Sequence, residues 1–157
     1  MQHLVDYPIV YAILSIDMLL QFEKTHVDAV LPGKNHDSDT GMDVTCIEDF
    51  TIPAHGSAVV GVGLKFAFIQ PGFWVKVEGR SGLGFKHGIM PHPGIIDSGY
   101  RGDAGVKLYN LTEKDYEGKA GDRIAQFVVY TNHDVIVTEG EVVDSDRGEK
   151  GFGSSGK

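Results

Sequence analysis

The chain has 157 residues and a mass of 17.1 kDa, carries a formal net charge of −8 at pH 7, and contains one cysteine, Cys46. The acidic balance argues against non-specific binding of nucleic acid or of an anionic membrane surface. A single cysteine excludes an intrachain disulfide and suits a reducing cytoplasm, that of a host cell if the source is viral. We expect Cys46 to be a small buried residue and not a nucleophile, because nothing near it in sequence activates a thiol.

The first 17 residues contain the apolar run IVYAIL but also Asp6 and Asp17, without a basic segment. The run is too short to span a bilayer and lacks the flanks of a secretory signal. Met18 offers an alternative start, because a strand pattern begins directly after it. We therefore predict an N-terminal extension of uncertain order over residues 1–17, a β domain over residues 18–143 and a flexible glycine-rich arm over residues 144–157.

From residue 18 onward the pattern is one of short strands punctuated by turn residues. It is clearest in FWVKVEG, where Phe73, Val75 and Val77 share one face. SGLGFKHG allows one helical turn, capped by Ser81. Many short antiparallel strands predict an all-β sandwich, barrel or jelly roll with at most one short helix. The predicted strands are LLQFEK, AVL, MDVTCI, DFTIP, AVVGVGLKFAFI, FWVKVEG, GIIDS, AGVKLYN, RIAQFVVYT and DVIVTEG.

Residues 94–110, GIIDSGYRGDAGVKLYN, have the pattern of a β-hairpin with chemistry at its tip. Gly99 and Gly102 would supply the positive φ that a tight or bulged turn needs. The side chains expected around one small cavity at the tip are Asp97, Tyr100 and Arg101. Taken alone, an ordinary turn rich in Asp and Gly explains the segment equally well.

Four further polar, glycine-containing segments lie at strand boundaries: DTGMD, GRSG, GDRIAQ and RGEKGFGSSG. In GRSG, the backbone N–H groups, the Ser81 hydroxyl and the Arg80 guanidinium are suited to an anion cradle, although an ordinary turn is the better account of an isolated tetrapeptide. The C-terminal segment is either a disordered terminus or an arm that stacks Phe152 on a flat ring. His87 and His92 are the closest pair of histidines, and a zinc site there is disfavoured because no third ligand converges.

These segments, in this order, resemble the five motifs of the trimeric dUTPase family from about residue 20 to the C-terminus. The resemblance is carried by GRSGLGFKHG, PGIIDSGYRG, GDRIAQ and RGEKGFGSSG. It implies a jelly-roll-like β protomer in a homotrimer whose active sites are shared between chains. It also implies hydrolysis of dUTP to dUMP and pyrophosphate, with Mg²⁺ held mainly by the substrate phosphates.

The resemblance also implies residue roles. Asp97 matches the carboxylate that orients and deprotonates the water attacking the α-phosphorus, and Tyr100 matches the ring that packs under deoxyribose and excludes a 2′-hydroxyl. Asp43 matches the acidic residue of the first motif, near the metal-bound phosphates and in contact with the metal through water at most. The catalytic set is Asp97, Gln126 and Arg80. The substrate-binding set is Ser81, Gly82, Ile96, Tyr100, Lys107, Arg147, Phe152, Gly153, Ser154 and Ser155.

Three positions depart from the commoner family pattern. Pro91 stands where many relatives have an asparagine, which leaves uracil selection to backbone groups of the hairpin. Gly99 replaces an aspartate, and Lys150 replaces a glycine of the arm. Two alternatives stay open: a dCTP deaminase-like enzyme of the same fold, disfavoured because Lys107 stands where those enzymes place a glutamate, and a non-catalytic nucleotide-sensing or partner-binding protein.

Overall fold

The computed structural model describes residues 18–146 and 148–149. This part of the chain contains eleven strands and one helix of seven residues, which confirms the prediction of an all-β fold with one short helix. None of its helices has the length and apolar character needed to cross a membrane. Residues 1–17 and most of the predicted arm lie outside the described residues, so the boundaries of both stay predictions.

The strands pair antiparallel in four sheets. Two sheets have two strands each: β1 (Leu20–Lys24) with β5 (Leu64–Ile69), and β3 (Phe50–Ile52) with β10 (Tyr116–Gly118). The four-stranded sheet has the order β2 (Met42–Thr45), β11 (Arg123–Thr131), β6 (Phe73–Glu78), β8 (Ile95–Ile96). The three-stranded sheet has the order β4 (Ser57–Val60), β9 (Val106–Asn110), β7 (Ile89–Pro91). The helix α1 (Ser81–His87) connects β6 to β7.

The core is filled by every second residue of the strands. In β6, Val75 is buried, whereas Lys76 and Glu78 point to the other face and form an ion pair, as the alternation predicts. Phe66 and Phe127 are each 1% exposed, and their ring centroids lie 5.5 Å apart. Aromatic packing of this kind joins β5 to β11 and ties the two-stranded and four-stranded sheets together.

Several predicted elements differ in the structure. AVL and DVIVTEG form no strand in the part of the chain that is described, and AVVGVGLKFAFI divides into β4 and β5 at Gly63, whose φ is +65°. The sequence missed β7 and β10, which are three residues long and too short to show a period. Ser81 begins α1 and does not cap it, because the N-cap residue is Arg80, and Gly88 ends the helix with a φ of 63°.

The predicted pairing of the hairpin over residues 94–110 is wrong. Its first arm, β8, pairs with β6, whereas its second arm, β9, pairs with β4 and β7. The arms meet at their base, where the His92 N–H donates to the Lys107 carbonyl at 2.7 Å. Beyond that bond they diverge, and the Ala104 N–H donates to Leu64 of β5 at 2.9 Å. The divergence opens a slot between the two arms.

Cys46 is 1% exposed, and its thiol donates to the Lys119 carbonyl at 3.0 Å. Burial raises the pKa of this thiol, which keeps it protonated and unreactive. The prediction of a buried cysteine is therefore confirmed.

The Asn110 side chain joins three segments of the chain at the end of β9. It is 1% exposed, and its amide nitrogen donates to the carbonyls of Ile52 and Lys114 at 3.0 and 2.7 Å. Its Oδ1 accepts the N–H of Thr112 at 3.0 Å. A buried amide with all these partners fixes the strand end more tightly than an apolar residue would.

We expect Asn110→Ala to lower the free energy of unfolding by about 2–4 kcal/mol, because it leaves buried carbonyls without their donor. Urea unfolding followed by circular dichroism measures the change. Glu113→Ala is the matched control: its carboxylate is 89% exposed and pairs with His55, so the unfolding midpoint should stay where it is. Equal midpoints for Asn110→Ala and the parent chain would contradict the role assigned to the amide.

Candidate active site

An aspartate held between two arginines lies where three strands of the four-stranded sheet reach one edge. Asp43 of β2 accepts Arg80 Nε on Oδ1 at 2.7 Å and Arg123 Nη1 on Oδ2 at 3.0 Å. Its side chain is 17% exposed, so water screens these pairs less than it would on an open surface. Asn35 completes the cluster, donating to Asp43 at 3.1 Å and accepting from Arg123 at 2.8 Å. The carboxylate therefore fixes the direction of both guanidinium groups.

Gln126 is placed by the strand register and by a glycine. It lies opposite Asp43 on one side of β11 and opposite Glu78 on the other. Its amide nitrogen donates to the Gly79 carbonyl at 2.7 Å. A Cβ on Gly41 would lie 1.8 Å from Gln126 Oε1, so any larger residue at position 41 would displace the Gln126 amide from this orientation. Three of the predicted segments, DTGMD, GRSG and GDRIAQ, thus converge here.

These side chains line an open cavity of about 360 Å³, which we call the edge cavity. Its lining residues are Asn35, Asp39, Thr40, Gly41, Asp43, Arg80, Ser81, Gly82 and Gln126. Hydroxyl, amide and guanidinium donors predominate, which suits a phosphate-bearing ligand.

The edge cavity does not offer the ligand set of a metal site. Both Asp43 oxygens are already bonded to arginines. Within residues 18–146 and 148–149, no group of three or more His, Cys, Asp or Glu side chains is arranged to hold a metal ion. The donors present fit an anion, and a cation would have to bring most of its own ligands.

The slot between the diverging arms is a second cavity, of about 230 Å³. Its lining residues include Gly94–Ile96 of the first arm, Ala104–Gly105 of the second arm and Val77 of β6. Ile96, Tyr100 and Lys107 all line it, so the predicted substrate-binding residues of this segment are brought together.

Tyr100 lines the slot and is held in place by two contacts. Its hydroxyl donates to the Asp103 carbonyl at 3.0 Å, and its ring packs edge-on against Phe66 with centroids 5.9 Å apart. Neither Gly99 nor Gly102 has the positive φ that we predicted. Gly102 serves packing instead, because a Cβ there would lie 2.3 Å from the Tyr100 hydroxyl oxygen.

Asp97 follows β8 and is exposed, and its carbonyl accepts the N–H of Tyr100 at 3.0 Å. Arg101 points away from the slot. Its guanidinium donates to the carbonyls of Ser98 and Tyr100 at 2.8 and 2.7 Å and lies 5.9 Å from the centroid of the Phe68 ring. Of the three tip residues only Tyr100 lines the slot, so the prediction that Asp97, Tyr100 and Arg101 surround one cavity is wrong. The contacts of Arg101 hold the turn.

The strand register separates Asp97 from the edge cavity. Ile96 lies opposite Val75, so the chain runs on at Asp97 toward Trp74, at the start of β6. Trp74 stacks on Tyr130 there, with ring centroids 4.7 Å apart. Arg80 follows the other end of β6, and six extended residues span about 20 Å. Asp97 and Arg80 of one chain are thus too far apart to contact one phosphate group.

Two further residues were missed by the sequence analysis. Asn35 lies in an irregular loop 88 positions from Arg123, its partner, so no local pattern reports it. His92 was considered only as a zinc candidate with His87, yet it lines the slot. The predicted arm residues Arg147, Phe152, Gly153, Ser154 and Ser155 lie outside the described residues.

Comparison with known sequences gives one family. The sequence model of the dUTPase family matches residues 28–156. The deoxyuridine 5′-triphosphate nucleotidohydrolase of Solibacter usitatus is 43% identical over 144 residues, which cover 89% of this chain and 97% of the relative. The protein of that name from Oryza sativa subsp. japonica is 40% identical over 151 residues, covering 93% of this chain and 85% of the relative.

Solved structures are similar in fold. A mutant dUTPase of Staphylococcus bacteriophage 80alpha, with dUpNHpp, has a TM-score of 0.80 at 26% identity and covers 88% of this chain and 99% of its own. A mutant dUTPase from phage phi11 of S. aureus, whose structure shows the coordination of a structural Mg(II) ion, has a TM-score of 0.72 at 22% identity. The match covers 81% of this chain and 99% of that chain and bears on the fold alone. The jelly-roll-like β fold is thereby confirmed.

We expect Asp43→Asn to loosen Arg80, because the neutral amide replaces the charge that holds its Nε–H. In ¹⁵N NMR spectra, the Arg80 Nε–H resonance should be protected from solvent exchange in the parent chain and broadened in the variant. Asp49→Asn is the control, since Asp49 pairs with Lys119 on an exposed surface and leaves the arginines untouched. An Arg80 signal unchanged by Asp43→Asn would show that the ion pair does not orient this guanidinium.

Proposed function

The chain belongs to the dUTPase family, and from that premise we infer that it is a dUTP diphosphatase, which hydrolyses dUTP to dUMP and pyrophosphate. The observation that carries this function is the slot of about 230 Å³, which is lined by Tyr100 and by Ile96, the residue that precedes Asp97. A slot of this size takes a pyrimidine nucleoside, and the triphosphate then leaves by the end where Asp97 is exposed.

We propose that Asp97 is the general base. Its carboxylate orients a water molecule and takes a proton from it as the water oxygen attacks the α-phosphorus. The bond between that phosphorus and the bridging oxygen to the β-phosphorus breaks, and pyrophosphate leaves. An exposed carboxylate beside the nucleoside slot supports this role, because geometry near the reacting atom is the first requirement for a base.

We propose that Tyr100 discriminates between deoxyribose and ribose. Its ring is fixed by the hydrogen bond to Asp103, by Phe66 and by the close approach of Gly102. A ring held in place clashes with a ribose 2′-hydroxyl. It therefore lowers the affinity for a ribonucleotide more than a movable ring would.

We propose that the edge cavity binds the triphosphate. Arg80 and Ser81 are placed to contact phosphate oxygens, with Gln126 beside them. Asp43 acts by orienting Arg80 and Arg123. Mg²⁺ fits this arrangement as an ion that enters on the substrate phosphates, where it would neutralise negative charge, since the described residues supply no ligand cluster of their own.

We propose that one chain cannot complete a site, so that the slot of one chain faces the edge cavity of another. The separation of about 20 Å between Asp97 and Arg80 supports this arrangement. So do Val135, Ile136 and Val137, which are 76%, 90% and 88% exposed and form an apolar stretch suited to a subunit contact. Three copies is the number that the family resemblance implies.

Two further expectations stay proposals. Closure of the arm, with Arg147 and Phe152, over a neighbouring chain's site would exclude water during the reaction and open for product release. A cytoplasmic location is compatible with the buried free thiol of Cys46. Among the alternatives, deamination of dCTP is disfavoured because Lys107 cannot replace a carboxylate base.

We expect Asp97→Asn to keep the affinity for dUTP within about tenfold of the parent chain while kcat falls by orders of magnitude, because the amide has a similar size but cannot accept a proton. Pyrophosphate release measures kcat, and calorimetric titration with a non-hydrolysable dUTP analogue measures binding. Asp134→Asn, which removes an exposed carboxylate outside both cavities, is the matched control. Near-parental turnover by Asp97→Asn would exclude the role of base.

A shared site predicts that two inactive variants rescue each other. Homo-oligomers of Asp97→Asn and of Arg80→Ala should each have little activity. After mixing at equal amounts, unfolding and refolding, about a quarter of the sites would pair an intact Asp97 with an intact Arg80 from another chain, so about a quarter of the parental rate should return. Refolding each variant alone is the control. No recovery in refolded mixed oligomers would place both residues in a site within one chain.

A further inference from the structure

The Met90 side chain fills space left by two glycines beside the edge cavity. A Cβ on Gly84 would lie 3.0 Å from Met90 Sδ, and a Cβ on Gly79 would lie 3.4 Å from Met90 Cε. These two glycines enclose the segment that carries Arg80 and Ser81. Because neither glycine has a side chain, the thioether packs against the backbone at both ends of that segment.

Two hydrogen bonds connect this contact to the lining of the edge cavity. The Gly79 carbonyl accepts a hydrogen bond from Gln126 Nε2 at 2.7 Å. The Gly84 N–H donates to the Arg80 carbonyl at 3.0 Å. Arg80 and Gln126 both line the edge cavity. Met90 therefore supports, through the two glycines, residues that we place around the triphosphate.

Met90 belongs to a different sheet from the segment that it supports. It lies in β7, opposite Tyr109 of β9, whereas Gly79 directly follows β6 of the four-stranded sheet. Through this contact the three-stranded sheet holds the phosphate-contacting segment in position.

The Met90 sulfur is accessible to small oxidants. The side chain is 41% exposed, whereas Met18 and Met42 are half-buried. Met90 lines an open cavity of about 520 Å³ together with two exposed apolar side chains, Phe85 and Leu111. A peroxide that enters this cavity reaches the Met90 sulfur without any unfolding of the chain.

Oxidation changes the property on which the contact depends. A lone pair of the sulfur attacks one oxygen of hydrogen peroxide, a sulfur–oxygen bond forms and the oxygen–oxygen bond breaks. The proton on the transferred oxygen moves to the leaving hydroxide, which departs as water, so sulfur is oxidised and the peroxide is reduced. The sulfoxide is polar and favours water over packing against the glycine backbone.

We propose that Met90 is a positioning residue for the segment that carries Arg80 and Ser81, and that its oxidation to the sulfoxide lowers the phosphate affinity of the edge cavity. The inference rests on the proposed binding of the triphosphate in that cavity. It adds a control of the site that reduction of the sulfoxide reverses.

Two substitutions of Met90 test the positioning role. Met90→Ala leaves a gap over the two glycines, whereas Met90→Leu fills the gap without sulfur. We expect Met90→Ala to weaken the binding of inorganic pyrophosphate about tenfold and Met90→Leu to stay within about twofold of the parent chain, as measured by calorimetric titration. Leu111→Ala, which shortens an exposed side chain of the same cavity, is the matched control and should keep the parental affinity.

The Gln126 side-chain amide gives a measurement that needs no ligand. In ¹H–¹⁵N NMR spectra its protons should exchange slowly with solvent in the parent chain and in Leu111→Ala, because the Gly79 carbonyl holds them. They should exchange faster in Met90→Ala and return to the parental rate in Met90→Leu. A general loss of stability would not select this one amide.

Oxidation is tested on the parent chain and on Met90→Leu, which keeps Met18 and Met42. After treatment with dilute hydrogen peroxide, mass spectrometry of peptides gives the oxidised fraction of each methionine. We expect the pyrophosphate affinity of the parent chain to fall about tenfold as Met90 is converted, and to recover after treatment with methionine sulfoxide reductase. Met90→Leu should keep its affinity throughout.

Parental pyrophosphate affinity in Met90→Ala, or a Gln126 amide that exchanges at the parental rate in that variant, would overturn the positioning role. Equal losses of affinity in the peroxide-treated parent chain and Met90→Leu would overturn the control by oxidation, and so would parental affinity after full conversion of Met90. These are binding and exchange measurements, so a parent chain that released no pyrophosphate from dUTP would count against the proposed hydrolysis alone.

Discussion

The divergence of two neighbouring arms into different sheets is the constraint on which the site depends. Ile96 pairs with Val75 in the four-stranded sheet, while Leu108 pairs with strands of another sheet. Had the two arms paired with each other along their length, side chains of a closed hairpin would fill the space that the slot occupies. The same divergence directs Asp97 along β6 away from Arg80, so one choice of pairing both creates the slot and separates Asp97 from the edge cavity.

The negative net charge of the chain restricts where an anionic ligand can be attracted. A protein with a net charge of −8 repels a triphosphate at long range, so attraction must be concentrated over a few ångströms. Asp43 concentrates it: although acidic, it aligns Arg80 and Arg123, and a prealigned guanidinium loses less entropy on binding phosphate than a mobile one. In the proposed function, the acidic residue of the first motif thus contributes to anion binding through its two arginine partners.

Much of the fold class could be predicted from strand alternation, which is a local property, and the motif order predicted most of the residues that line the two cavities. The partner of each strand could not. Ile95 and Ile96 form a strand of two residues, which has no period, and its pairing depends on packing across the chain. The β-branched run from Val135 to Val137 satisfies strand propensity, yet those residues have no neighbouring strand in the described chain. The sequence predicted that Gly102 is needed for a positive φ in the turn, whereas the structure shows that glycine is needed there to leave space for the Tyr100 ring.

The position of Trp74, which stacks on Tyr130, determines what the intrinsic tryptophan fluorescence of this protein reports. Trp74 is the only tryptophan in the chain, and it lies at the Asp97 end of β6, far from Arg80. Under the proposed sharing of sites, its emission would report events near Asp97 and respond little to events at the edge cavity. In an oligomer with shared sites, the fluorescence of one chain would follow the nucleoside that its own slot holds, while the phosphates of that nucleotide rest on a neighbour whose emission describes a different site.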